Sequence, residues 1–185
     1  MKVLRSFFSD LHRYLLWLLI SVIFWGWIFS MITDARPEHK LVLCVDRPEL
    51  QDHALTLALE KERPDGIRMV KVHPIDYYVF SQDELEHADL YIIKASRAEE
   101  LSWLFLPLAD AGMPTEGAAL WSLDGTALGL RVYCAETGEG ALQSYIEYAA
   151  PGETGEDYYL FFGANSAHLS DGAARRLAER LLRLP

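Results

Sequence analysis

The sequence is short of the patterns by which catalytic and metal-binding proteins usually show themselves. No G-x-S-x-G, S-x-x-K or local Cys-His signature occurs, which removes the usual frames for a serine or cysteine nucleophile. His53, His73, His87 and His168 are scattered, with no H-x-x-x-H pair and no cysteine at ligand spacing, so no metal site is expected. Asp83, Glu84, Glu86, His87 and Asp89 crowd together. Their oxygen spacing fits no calcium loop, and on a helix they read as a solvated face. Gly138-Glu139-Gly140 lacks the third glycine of a dinucleotide loop, and no cofactor is expected. Taken together, these absences argue against an enzyme.

Basic residues are also scarce: 17 Lys and Arg stand against 27 Asp and Glu. A surface this acidic is a poor partner for nucleic acid, whose phosphates need cations. Cysteine is limited to Cys44 and Cys134, both inside apolar, strand-like runs. They are either buried free thiols or, outside the cytoplasm, a bridge; sequence leaves both open. Internal repeats and low-complexity tracts are missing as well.

What the chain does contain is an uncharged run, Tyr14–Thr33, YLLWLLISVIFWGWIFSMIT. At 1.5 Å per residue this spans roughly 30 Å, the thickness of a bilayer's hydrocarbon core. It is too long for a signal-peptide h-region, and Thr33-Asp34-Ala35 makes a poor cleavage site, so a retained transmembrane anchor is expected. Lys2, Arg5 and Arg13 precede the run against a single acid, Asp10, while Asp34, Arg36, Glu38 and Lys40 after it balance. That asymmetry keeps residues 1–13 in the cytoplasm and sends the rest across the cell membrane. With residues 34–40 as linker, residues 41–185 form the outer domain, long enough for one real core.

KLVLCVD (Lys40–Asp46) reads as a buried strand and a helix follows from Pro48, its stripe running through Leu50, Ala54, Leu57, Ala58 and Lys61; Arg63-Pro64-Asp65-Gly66 ends it. A second strand spans Gly66–Ile75, a weaker helix about Tyr77–His87, a third strand Ala88–Ser96, and a short helix Ala98–Leu106. This β-α-β-α-β-α order predicts an α/β lobe of three layers with a mainly parallel sheet. The C-terminal third adds antiparallel pairing. Asp124-Gly125 is a strong hairpin turn between ALWSL and TALGLRVYCAE. LQSYIEYA is strand or helix, Asp157–Gly163 a central strand apolar on both faces, and a helix from about Asp171 with Ser170 as its N-cap closes the chain.

This order of pieces resembles the extracellular solute-binding proteins of ABC importers, with the periplasmic-binding-protein type II fold. The resemblance rests on Glu60-Lys61-Glu62-Arg63-Pro64-Asp65-Gly66-Ile67 between the first two strands, Ala88-Asp89-Leu90-Tyr91-Ile92-Ile93, and Leu104-Phe105-Leu106-Pro107-Leu108. It continues in Asp124-Gly125 through Val132 and in Asn165-Ser166 before the last helix. The interval Glu136–Asp157 is too short for the second lobe of that family, so the resemblance implies a single lobe. It also implies a small polar solute and a membrane transporter as partners.

In an open parallel sheet, ligands bind beyond the carboxyl ends of the strands. Those ends offer Asp46 and Arg47, His73 and Asp76, and Ser96 and Arg97, and Arg131 and Tyr133 on the crossover strand could join them. The competing reading is that Asp46 and Ser96 cap helices and the arginines are solvated. Two functions remain in view. One is a membrane-anchored, extracytoplasmic binding domain beside a transporter. The other is a structural or assembly subunit that binds a protein and no small molecule.

Overall fold

The computed structural model describes residues 2–33, 35–47, 52–61, 63–75, 85–149 and 155–185. The chain divides into two compact units, Met1–Arg36 and Pro37–Pro185. The first is a single helix, α1 (Lys2–Thr33). Its large apolar side chains from Tyr14 to Phe29 are nearly all exposed, on every side of the helix. Among the described residues no helix is long and apolar enough to cross a membrane.

The second unit is α/β, built on one mixed sheet. Its elements are β1 (Lys40–Val45), α2 (Asp52–Lys61), β2 (Met69–Pro74), β3 (Leu90–Lys94), α3 (Ala95–Ala98), β4 (Phe105–Leu106), β5 (Leu120–Leu123), β6 (Thr126–Cys134), β7 (Glu139–Gly140), β8 (Tyr158–Gly163) and α4 (Ala173–Leu181). Strand order is β2-β1-β3-β8-β6-β5, with β4 on the end of β8 and β7 on β6. β2, β1 and β3 are parallel, as the β-α-β pattern requires, and pairing is antiparallel from β3–β8 outward. The β5–β6 hairpin closes at Asp124 (φ 50°) and Gly125 (φ 79°), the left-handed conformations that an Asp-Gly turn supplies. The helix start expected at Pro48 and most of the stretch expected over residues 77–87 lie outside the described residues.

Two cores lie on the two faces of the sheet. Leu41, Leu43 and Val45 of β1 meet Leu55 and Leu59 of α2 and Leu177, Ala178 and Leu181 of α4. On the other face Cys44, Tyr91, Ile93 and Phe161 meet Ala98 of α3 and Leu104 and Phe105. The architecture is therefore three-layered, with one layer thin.

Three local expectations need correction. The helix expected over Ala98–Leu106 is split into α3, a 3-10 turn at Ser102–Leu104, and β4. Phe105 and Leu106 pair with Gly163 and Phe162, and the Phe105 ring stacks on Phe161 at 4.0 Å. Sheet pairing and ring burial outweigh what a helix of that length could gain. Residues 142–149 form neither strand nor helix but a turn over 142–145 followed by irregular chain, which together bury Leu142, Ile146 and Tyr148 in the first core. Finally, Ser170 does not cap the last helix. Its N-cap is Gly172 at φ 68°, and Asp171 Oδ1 accepts the Ala173 N–H at 2.7 Å.

Candidate functional site

Beyond the last residue of β1 the chain turns sharply, with the Arg47 N–H donating to the Val45 carbonyl at 2.9 Å and the Asp46 N–H to Ile92 at 2.8 Å. These bonds hold Asp46 and Arg47 at the carboxyl end of β1 beside the end of β3, where α3 begins. Arg97 of α3 donates from Nη1 to Asp46 Oδ1 at 2.5 Å. Both Asp46 and Arg47 are buried, 4% and 7% exposed. This overturns the solvated reading of Arg47. The capping reading of Ser96 fails too, because Ser96 is an exposed residue inside α3 and Lys94 is the N-cap position.

The first residue of β8, Tyr158, completes the group. It is fully buried and pairs in register with Lys94 of β3 on one side and Tyr133 of β6 on the other. Burial raises the Tyr158 phenol, the Arg47 guanidinium beside it pulls the other way, and the balance lies near 12. Three buried polar atoms here, Asp46 Oδ2, Arg47 Nε and the Tyr158 hydroxyl, make no hydrogen bond of good geometry among the described residues. Each such group costs about 1–3 kcal/mol unless something satisfies it. Arg47 and Asp46 act on the Tyr158 phenol from this cluster, and Glu156 acts on it as well.

Tyr133 joins this group through a β-bulge. The β6–β8 register skips one residue between Arg131 and Tyr133, so Val132 and Tyr133 both face the first core. Regular alternation would have put Tyr133 on the face of Arg131. In the bulged strand Tyr133 stacks on Tyr148 at 4.3 Å and lies edge-on to Tyr158 at 6.4 Å. Tyr148 donates its hydroxyl to Ala141 O at 2.8 Å, and its phenol is pushed up, chiefly by burial.

Arg131, among the other expected residues, is engaged elsewhere. Arg131 is exposed and lies 3.5 Å from Asp157 Oδ2, with Asp157 Oδ1 accepting the Ala135 N–H. His73 sits on β2, opposite Cys44. Asp76 lies outside the described residues. A shallow groove of about 340 Å³ opens along β6 and β7, lined by Arg131, Tyr133, Cys134, Thr137 and Glu139 among others. The two cysteines are free thiols. Hydrogen bonds from the backbone and the side chain of Thr137 hold the Cys134 thiol below the ordinary range, while burial pushes Cys44 up.

Sequence reasoning missed Tyr148, Tyr158, Asp157 and Asp89 as polar participants. Asp89 is not part of a solvated face: it is 2% exposed and accepts from the Val42 N–H at 2.8 Å and from Ser166 Oγ at 2.5 Å. Burial raises its carboxyl against the pull of these two bonds. The signal available was its place immediately before an apolar strand, where a carboxylate can tie neighbouring chain segments together. Among the described residues no group of three or more His, Cys, Asp or Glu could hold a metal ion.

Comparison with protein-family models, with curated proteins and with solved structures gives no match.

Proposed function

We propose that this is a single-pass, membrane-anchored protein whose outer domain binds a small polar ligand at the ends of β1 and β3, beside a transporter. The observation that carries the reading is that Asp46 Oδ2, Arg47 Nε and the Tyr158 hydroxyl are buried and make no hydrogen bond of good geometry among the described residues. They ask for a ligand with a donor for the carboxylate and an acceptor for the guanidinium and phenol. A compact zwitterion, or an anion that also carries an N–H or O–H, meets that demand. Arg97, a third exposed, gives the ligand a way in by exchanging its hold on Asp46.

The anchor rests on α1. A helix apolar on all sides needs a protein or a lipid environment around it, and Lys2, Arg5 and Arg13 favour a cytoplasmic N-terminus with the domain outside the cell membrane. The order of motifs shared with solute-binding proteins supports the same reading at the level of fold only. A second reading, an assembly subunit that docks a protein partner, draws on Trp103, which is 52% exposed on the turn between α3 and β4.

A thermal-shift screen of the full chain in detergent micelles, with amino acids, sugars, oligopeptides and metal ions, separates the two. A ligand at a hundred times its Kd adds about 2.7 kcal/mol, and R47A or R97A should abolish the response. No response from any class would remove the small-molecule reading. A response untouched by both substitutions would move the site elsewhere.

A further inference from the structure

We propose that His168 is a pH-operated latch, which as an imidazolium ties the first residue of the outer domain to the start of the C-terminal helix. On losing its proton it releases that residue.

The ring is 1% exposed. Its Nδ1 lies 2.9 Å from Asp171 Oδ2 and its Nε2 lies 3.1 Å from the Pro37 carbonyl oxygen. Both partners are acceptors, and imidazole offers two N–H donors only when it is protonated. In the neutral ring one nitrogen must turn a lone pair toward an oxygen. The carboxylate holds the remaining proton more strongly than the carbonyl does, so Nδ1–H stays with Asp171 and the Pro37 contact is lost. Pro37 begins the 3-10 turn Pro37–His39, through which the chain enters β1. The far end of that turn is fastened separately. His39 Nδ1 lies 3.1 Å from the Gly66 carbonyl, and the Arg68 N–H donates to His39 O at 2.8 Å. Release at His168 therefore frees the root of the domain while β1 stays in place.

The surroundings favour the charged ring. Asp171 faces it from the loop before α4, and Asp89 from the start of β3. Ser166 links the two sides, donating from Oγ to Asp89 and accepting the His168 N–H at 3.1 Å. Arg176 of α4 opposes them, since it lies close enough to help hold the Asp171 carboxyl low, and the turn itself carries Glu38 and His39. Burial draws the His168 pKa down, but Asp171, Asp89 and Pro37 more than offset it, and the net direction is upward. A group raised in the folded state contributes its stability in full below its unfolded pKa, roughly 6.5. The contribution is lost as pH rises through the folded value. The latch is thus closed in acid and opens as pH rises through a folded pKa above the ordinary histidine value.

The experiment uses the full chain in detergent micelles. Nitrogen-15 NMR of the histidine rings across pH 5 to 9 should give a His168 ring with both nitrogens protonated at pH 6 and a pKa above the ordinary value. A nitroxide at Glu38→Cys, in a Cys134→Ser background, should gain mobility across that same titration. Asp171→Asn should move the ring pKa and the mobility transition down together, by about one unit, and His168→Gln should erase the transition. A ring that is neutral at pH 6 overturns the proposal, as does label mobility that ignores the ring's titration. Should His168→Gln fail to fold, the wild-type and Asp171→Asn titrations decide it alone.

Discussion

Replacing Tyr158 with phenylalanine should make the free protein more stable. The ring is fully buried and packs edge-on to Tyr148 at 4.8 Å, contacts that phenylalanine keeps. What the substitution removes is a buried hydroxyl that makes no hydrogen bond of good geometry among the described residues. Leaving such a group unsatisfied costs about 1–3 kcal/mol, part of which folding recovers once the group is gone. A gain of about 1 kcal/mol is expected, which for a domain of this size raises Tm by about 2–4 °C. The effect should also flatten the alkaline edge of stability. The Tyr158 pKa is raised in the fold to about 12, so the tyrosine protein loses stability at pH above the ordinary phenol value near 10, and the phenylalanine protein does not lose this contribution. Urea denaturation of the full chain in micelles at pH 7 and pH 10.5 measures both. If Y158F is destabilised by 1 kcal/mol or more at pH 7, the hydroxyl is satisfied in the native state. The argument for a ligand-seeking cluster then fails.

Two further predictions concern packing and thiol chemistry. A Cβ at Gly129 would lie 2.5 Å from Phe161 Cε1, and that ring is held by Phe105 and Trp121. G129A should therefore cost about 1–3 kcal/mol through overpacking; an unchanged urea midpoint would show that the ring can move. In native protein at pH 7 a thiol reagent should modify Cys134 and spare Cys44, with the second equivalent reacting only on unfolding. Replacing Thr137 with alanine should slow Cys134 several-fold, and an unchanged rate would mean that Thr137 does not hold the thiolate.

Much of the fold was legible because its signals are local. β1, β2 and β3 are short apolar runs with their turns written beside them. Asp124-Gly125 fixes the β5–β6 hairpin, and the unbroken apolar face of Tyr158–Gly163 marks the middle of the sheet. Legibility fell where a segment's fate depends on a distant partner. Phe105 leaves its expected helix because β8 offers it a strand edge and a ring. Leu142, with φ 65°, leaves regular structure because residues at the end of the chain take its hydrogen bond, as the Leu142 N–H donates to Leu184 O. Of the candidate site, Asp46, Arg47 and Arg97 could be named from strand ends alone. Tyr158 could not, because its place beside Arg47 follows from the antiparallel return of β8.

The uncharged run of residues 14–33, the β-α-β start and the hairpin follow from residues within a few positions of one another, and the acidic balance from composition alone. The burial of Arg47, the interior places of Asp89 and His168, and the bulge that turns Tyr133 toward Tyr158 arise in the folded chain. Burial and pairing of this kind are set by contacts across the whole sheet. His168 and Pro37 show the distance involved: 131 residues separate them in the chain, and one hydrogen bond joins them in the fold.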